Sequence, residues 1–216
     1  MNIQINRKKR KTVTIKVTEK GDVIISCPLS YSDESIKNII LEKQPWITAT
    51  VRKINNKLNK NIDYYNYTKI LFMGECFDIT KEDGTLRIGG VTICKVKNNS
   101  NIESLLKNWL KKQADVQLNI FLQQISTQLG IKYQTCKVIS ARKKWGSCNS
   151  RSEIRLNYKL IMLKQEYIRY VCIHELCHIK HLNHSKKFWE LVKKYCQDYK
   201  NIRSEMKNFS FCLELF

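Results

Sequence analysis

The chain has 216 residues, 43% hydrophobic and 27% charged, the profile of one large globular domain, or one with a smaller companion, able to bury a real core. No apolar run is long enough to cross a bilayer, which excludes a spanning helix. Thirty-nine Lys and Arg against 19 Asp and Glu give a formal charge of +20. That charge favours polyanions such as nucleic acid or nucleotides, and it is equally what a lysine-rich composition spread along the whole chain produces.

The first residues carry Arg7, Lys8, Lys9, Arg10 and Lys11. Alternating polar and apolar residues follow in place of a signal-peptide core, so the expected location is the cytoplasm. Thr12–Val17 alternates with period two, and Gly21-Asp22 and Val23-Ile24-Ile25 complete a predicted hairpin. Ser32 caps a predicted helix to about Lys43, Pro45-Trp46 restarts it, and Asn55 to Asn61 reads as loop. Strands are expected at Ile70–Phe72, Phe77–Ile79, Leu86–Ile88 and Val91–Ile93, with turns at Asp83-Gly84 and Gly89-Gly90.

Lys97–Ser100 is the expected boundary, giving a β-rich or α+β region over 1–98 and a second domain over 99–216. A long helix is predicted from Ile102 to Leu129, with Leu106, Leu110, Ile120, Phe121, Ile125 and Leu129 on its apolar side and Gly130 as its stop. Strands follow around Cys136–Ile139 and Glu153–Leu156, and the remainder reads as helix. The nine cysteines are odd in number and form no C-x-x-C pair. A disulfide framework is therefore not expected, and most are read as small core residues in a reducing compartment. Trp46, Trp109 and Trp189 are expected to pack in the core.

All four histidines lie between 174 and 184. His174-Glu175-Leu176-Cys177-His178 is an H-E-x-x-H pattern, in which imidazoles four apart share a helix face and can converge on one ion. Glu175 stands about 100° around the axis from His174, placed to serve as a general base without being a ligand. On the same helix Ile168, Cys172, Leu176 and Ile179 form an apolar stripe opposite His174, His178 and His181. A catalytic zinc needs a third protein donor and one open position. His184 is favoured, because Leu182-Asn183 can end the helix and Ser185 can cap another, with Phe188, Leu191, Val192 and Tyr195 as its buried side. His181 is the competitor, on the same face as the first two.

At this point the chain resembles the YgjP-like metallopeptidase family, which is related to the SprT-like and WLM zincins. The resemblance rests on His174–Trp189, on Lys144-Trp145-Gly146-Ser147-Cys148 and on Glu153–Leu160, in that order. It is weaker at Arg10–Val17 and at Pro45-Trp46-Ile47. Lys144 departs from the family's usual arginine, which would weaken a bidentate contact there. The resemblance implies a zincin-like α+β fold, with a small antiparallel sheet beside the metal helix. It also implies one zinc ion on His174, His178 and His184, with Glu175 as general base. Family members are described as metallopeptidases, and a nucleoside triphosphate pyrophosphohydrolase activity has also been attached to the family.

Three functions follow as expectations. The first is a cytoplasmic zinc peptidase with a peptide or protein substrate, docked on an edge strand for which Ile154–Leu156 is the candidate. The second is a metal-dependent nucleotide hydrolase, which requires basic side chains converging near the metal; no Gly-rich phosphate loop is present. The third is a basic nucleic-acid-associated protein with a structural metal. Lys144 and Trp145 are candidate substrate residues, and Asn157 and His181 are candidate supports of the ligands. For Trp145-Gly146-Ser147 an ordinary turn is the favoured reading, and Arg142-Lys143-Lys144 is read as a solvated face or a phosphate contact.

Overall fold

The structure is a computed structural model that describes residues 3–18, 22–60, 62–97 and 100–216. The chain divides into two compact units, Met1–Ile62 and Asp63–Phe216. Its described residues mix helices with three small sheets. Among the described residues no helix is long and apolar enough to cross a membrane.

The first unit contains β1 (Ile3–Lys8), β2 (Thr14–Val17) and β3 (Val23–Pro28) in the order β1-β3-β2. β2 and β3 form the predicted antiparallel hairpin. Gly21 of its turn lies outside the described residues. β1 pairs in parallel with β3 and is not among the expected elements; its Ile3 and Ile5 are themselves exposed, at 36% and 41%. Helix α1 (Asp33–Lys60) begins at Ser32, whose Oγ accepts from the Ser35 N–H at 3.1 Å. Pro45 does not restart this helix but lies inside it. Ile36 and Ile47, each 1% exposed, anchor the turns on both sides of Pro45 to one core with Val23, Ile25 and Cys27, which offsets the donor that proline removes. The helix also runs through the segment read as loop, up to Lys60; Asn61 lies outside the described residues. Trp46, expected in the core, is 50% exposed.

A short helix, α2 (Ile62–Tyr65), leads into an antiparallel meander of β4 (Lys69–Phe72), β5 (Glu75–Glu82), β6 (Thr85–Ile88) and β7 (Val91–Lys95). Asp83 and Gly84 take φ of 50° and 66°, the paired left-handed conformation of a tight hairpin turn. Asn98 and Asn99, at the expected boundary, lie outside the described residues. Ile70, Leu71, Leu86 and Ile88 of the meander share one hydrophobic cluster with α3 (Ile102–Leu129) and the elements after it.

Helix α3 has the predicted bounds, with Asn101 as its N-cap and a left-handed Gly130 as its C-cap. Its buried side is Leu106, Leu110, Ala114, Leu118, Leu122 and Ile125. Ile120, expected on that side, is 47% exposed. Two residues turn the helix by about 200°, so position 120 faces away from the buried neighbours at 118 and 122.

The third sheet comprises β8 (Thr135–Ile139), β9 (Gly146–Cys148) and β10 (Glu153–Asn157) in the order β8-β10-β9. It is mixed where an antiparallel sheet was expected: β10 runs antiparallel to β9 and parallel to β8. The tight 149–152 connection makes β9 and β10 a hairpin, and the 140–145 segment carries the chain across so that β8 ends parallel to β10. A 3₁₀ segment (Tyr158–Met162) then leads into α4 (Gln165–His178), α5 (Lys186–Tyr195) and α6 (Tyr199–Glu205), and a second 3₁₀ segment spans Met206–Leu213.

Candidate metal centre

Helix α4 turns Ile168, Cys172 and Leu176, all fully buried, into the core, and carries His174 and His178 on its other side. The helix ends at His178, short of His181. Among the described residues His181 is not part of the group whose donor atoms converge; its carbonyl oxygen lies 3.0 Å from His178 Nδ1. The chain then reverses: Asn183 Oδ1 accepts from the Ser185 N–H at 3.3 Å, and Ser185 Oγ caps α5 through the Phe188 N–H at 3.4 Å. This turn brings His184 Nε2 to 3.1 Å from His174 Nε2, while His178 Nε2 stands 3.2 Å from the same atom. The donor atoms of the three residues all lie within 4.8 Å of one another.

Hydrogen bonding alone does not account for this convergence. One ring nitrogen carries either one N–H or one lone pair, so His174 Nε2 cannot satisfy two imidazole nitrogens at once. A shared cation satisfies all three. Donors held ~2.0–2.1 Å from a tetrahedral ion stand about 3.3 Å apart, close to the two separations seen here. The residues therefore fit a metal ion. The contact between His178 Nδ1 and the His181 carbonyl fixes the tautomer that leaves Nε2 free to ligate. Among the described residues the buried His174 Nδ1 has no hydrogen-bond partner, so this ring is oriented by packing. Phe188, fully buried, supplies that packing with its centroid 5.0, 4.4 and 4.9 Å from the rings of His174, His178 and His184.

Burial, followed by His178 and His184, pushes the His174 pKa down to about 3. Burial also lowers that of His178, against the opposing pull of the His181 carbonyl. Both rings are thus held in the neutral, ligating form. Glu175 is 5% exposed. Burial pushes its carboxyl up to about 8, and the Lys144 charge pulls it back.

Strand β9 packs against α4 at Gly146. A Cβ there would stand 2.7 Å from Glu175 Oε1 and 2.9 Å from its Cγ. Trp145-Gly146-Ser147 is thus not a plain turn: Gly146 and Ser147 belong to the edge strand, and Gly146 supports the glutamate. Strand β10, considered for peptide docking, has both edges taken by β8 and β9. Among the described residues the hydrogen bonds of the Asn157 side chain go to the backbone and not to the histidines. Fully buried, it donates from Nδ2 to the carbonyls of Ala141 and Lys144 at 2.7 and 2.9 Å and accepts from the Lys159 N–H at 3.1 Å. It pins the segment that delivers Lys144 and Trp145.

A cleft of about 380 Å³ opens beside His174 and Glu175; Lys144, Trp145, Tyr170, Arg203 and Lys207 are among its lining residues. Arg142 and Lys143 are not part of that lining. Arg203, Lys207 and the supporting part of Gly146 were missed in the sequence. The i, i+4 spacing of Arg203 and Lys207 is a signal of one cationic face, but nothing in the sequence ties that face to His174.

A family model described as the YgjP-like metallopeptidase domain matches residues 11–209. No curated protein matches the chain. Among solved structures, the crystal structure of the metallopeptidase zymogen of Pyrococcus abyssi abylysin aligns over 41% of this chain and 90% of its own, with 23% identity and a TM-score of 0.38.

Proposed function

Because the chain belongs to the YgjP-like metallopeptidase domain family, we propose that it is a zinc-dependent peptide hydrolase. In this reading His174, His178 and His184 hold one zinc ion, and Glu175 is the general base. The observation that carries it is the meeting of three imidazole nitrogens beside a buried carboxylate at the wall of an open cleft. When bound, the ion supplies a Lewis acid that acidifies water and polarises the oxygen under attack. In its ionised form Glu175 takes the proton of the attacking water and returns it to the leaving amine. Gly146 lets β9 approach without displacing that carboxylate. The edge of β9 not paired with β10 is where an extended peptide would add as a further strand. All the residues used lie within the 99–216 segment, which we read as the hydrolase domain. Nine free cysteines support a reducing compartment, the cytoplasm.

The convergence of Lys144, Arg203 and Lys207 on the same cleft favours a second reading, hydrolysis of nucleoside triphosphates. One panel separates the two: peptides, denatured proteins and nucleoside triphosphates, each with zinc-loaded wild type and with Glu175→Gln. Peptide cleavage lost in Glu175→Gln supports the first reading. Cleavage confined to nucleotides replaces it with the second.

A further inference from the structure

The lining of the cleft contains three cations and a single carboxylate, that of the buried Glu175. Lys144 comes from the segment before β9, Arg203 from α6 and Lys207 from the 3₁₀ segment that follows. None of the three is in a salt bridge among the described residues. Arg203 is held in place: its guanidinium lies 5.0 Å from the centroid of the Trp189 ring. Trp189 stacks on Tyr199 at 5.3 Å and on His184 at 5.5 Å. The planar fork of Arg203 is thus fixed by an aromatic stack that ends on one of the three converging histidines, and little freedom remains to be lost when it binds a partner. Lys200 extends the positive surface into the adjoining hollow, which shares Arg203 and Lys207. Tyr170, Val171 and Met206 give the cleft an apolar wall. Like charges gathered in a concave, low-dielectric space focus a field that attracts an anion.

We propose that this cleft is an acid-selecting subsite that takes a carboxylate of the peptide beside the bond to be cut. Arg203 is its anchor, Lys144 and Lys207 flank it, and the apolar wall receives the methylenes. This rests on the peptide-hydrolase reading. The carboxylate belongs either to an Asp or Glu side chain or to the free C-terminus of a short peptide.

The test uses full-length, zinc-loaded protein and quenched-fluorescence peptides matched except for Glu, Gln, Ala or Lys at each position flanking the cut. Each peptide is made with a free and with an amidated C-terminus. A charge-assisted, two-pronged contact predicts roughly tenfold higher kcat/KM for Glu over Gln, or for the free carboxylate over the amide. Which pair separates identifies the source of the carboxylate. Arg203→Gln should shrink that ratio toward one, and Lys207→Glu should shrink or invert it even if the Arg203 variant folds poorly. Binding of the intact peptides to Glu175→Gln, followed by calorimetry, should keep the same order. Cleavage with all ratios within about twofold, well under one tenfold step, overturns the inference and leaves the peptidase reading standing. No peptide cleavage, with or without nucleotide hydrolysis, overturns both.

Discussion

Gly146 and Glu175 are in contact so close that a methyl group on the glycine would stand 2.7 Å from the carboxylate oxygen. The atoms that such a methyl group would meet, Oε1, Cγ and Cδ, all belong to the glutamate side chain, so it is the carboxylate that must shift to admit it. Gly146→Ala should therefore displace Oε1 while the three imidazoles stay where they are. Misplacing a reacting group by about 1 Å costs roughly 10²-fold. The expected outcome is a loss of that order in kcat with metal content unchanged. Wild-type kcat in Gly146→Ala would show that the contact does not position the base.

Glu175→Gln keeps the size of the side chain and removes its capacity as a base. Turnover should fall by about 10²- to 10⁴-fold, with metal binding retained in a dialysed sample. A variant that keeps full activity and its metal would remove Glu175 from the chemistry.

Asn157 supports the site from a distance. Asn157→Ala leaves the carbonyls of Ala141 and Lys144 without their donor inside the protein, at a cost of about 1–3 kcal/mol, and frees the segment that carries Lys144. Chemical denaturation should show the lost stability. Peptide kinetics should show a raised KM with a smaller change in kcat, because the base and the histidines are untouched. Equal stability in the two proteins would mean that the clamp is idle.

Much of this was legible in the sequence where the signal is local. The C-terminal end of α3 follows from Gly130, and the tight turn of the meander from Asp83-Gly84, because left-handed backbone is a property of single residues. The approach of His184 to His174 was readable from the break at Leu182-Asn183 and the cap at Ser185. The misses have tertiary causes. Pro45 reads as a breaker, but its helix is held to one core on both sides. β9 is three residues long and begins with glycine, so no periodicity marks it as the edge strand. Arg203 and Lys207 reach the cleft because α6 and the 3₁₀ segment after it lie against α4.

Lys159 offers a pH test away from the metal site. It is 3% exposed, with Nζ donating to the Leu213 carbonyl at 2.9 Å. Burial, then Lys107, lowers its pKa from 10.5 to about 8. Between those values the unfolded chain binds more protons than the folded one, so this residue makes stability rise with pH across that window. Urea midpoints at pH 7.5 and pH 10 should show wild type gaining on Lys159→Met as pH increases. An unchanged difference would contradict the lowered pKa.

In the proposed site the rings of His174, His178 and His184 share one ion, with His181 lending only its carbonyl. The direct measurement is zinc content after exhaustive dialysis of wild type, His181→Ala and His184→Ala. The expected result is one ion per chain in wild type and His181→Ala, and loss of the ion from His184→Ala. Retention of zinc by His184→Ala at the wild-type level would contradict it.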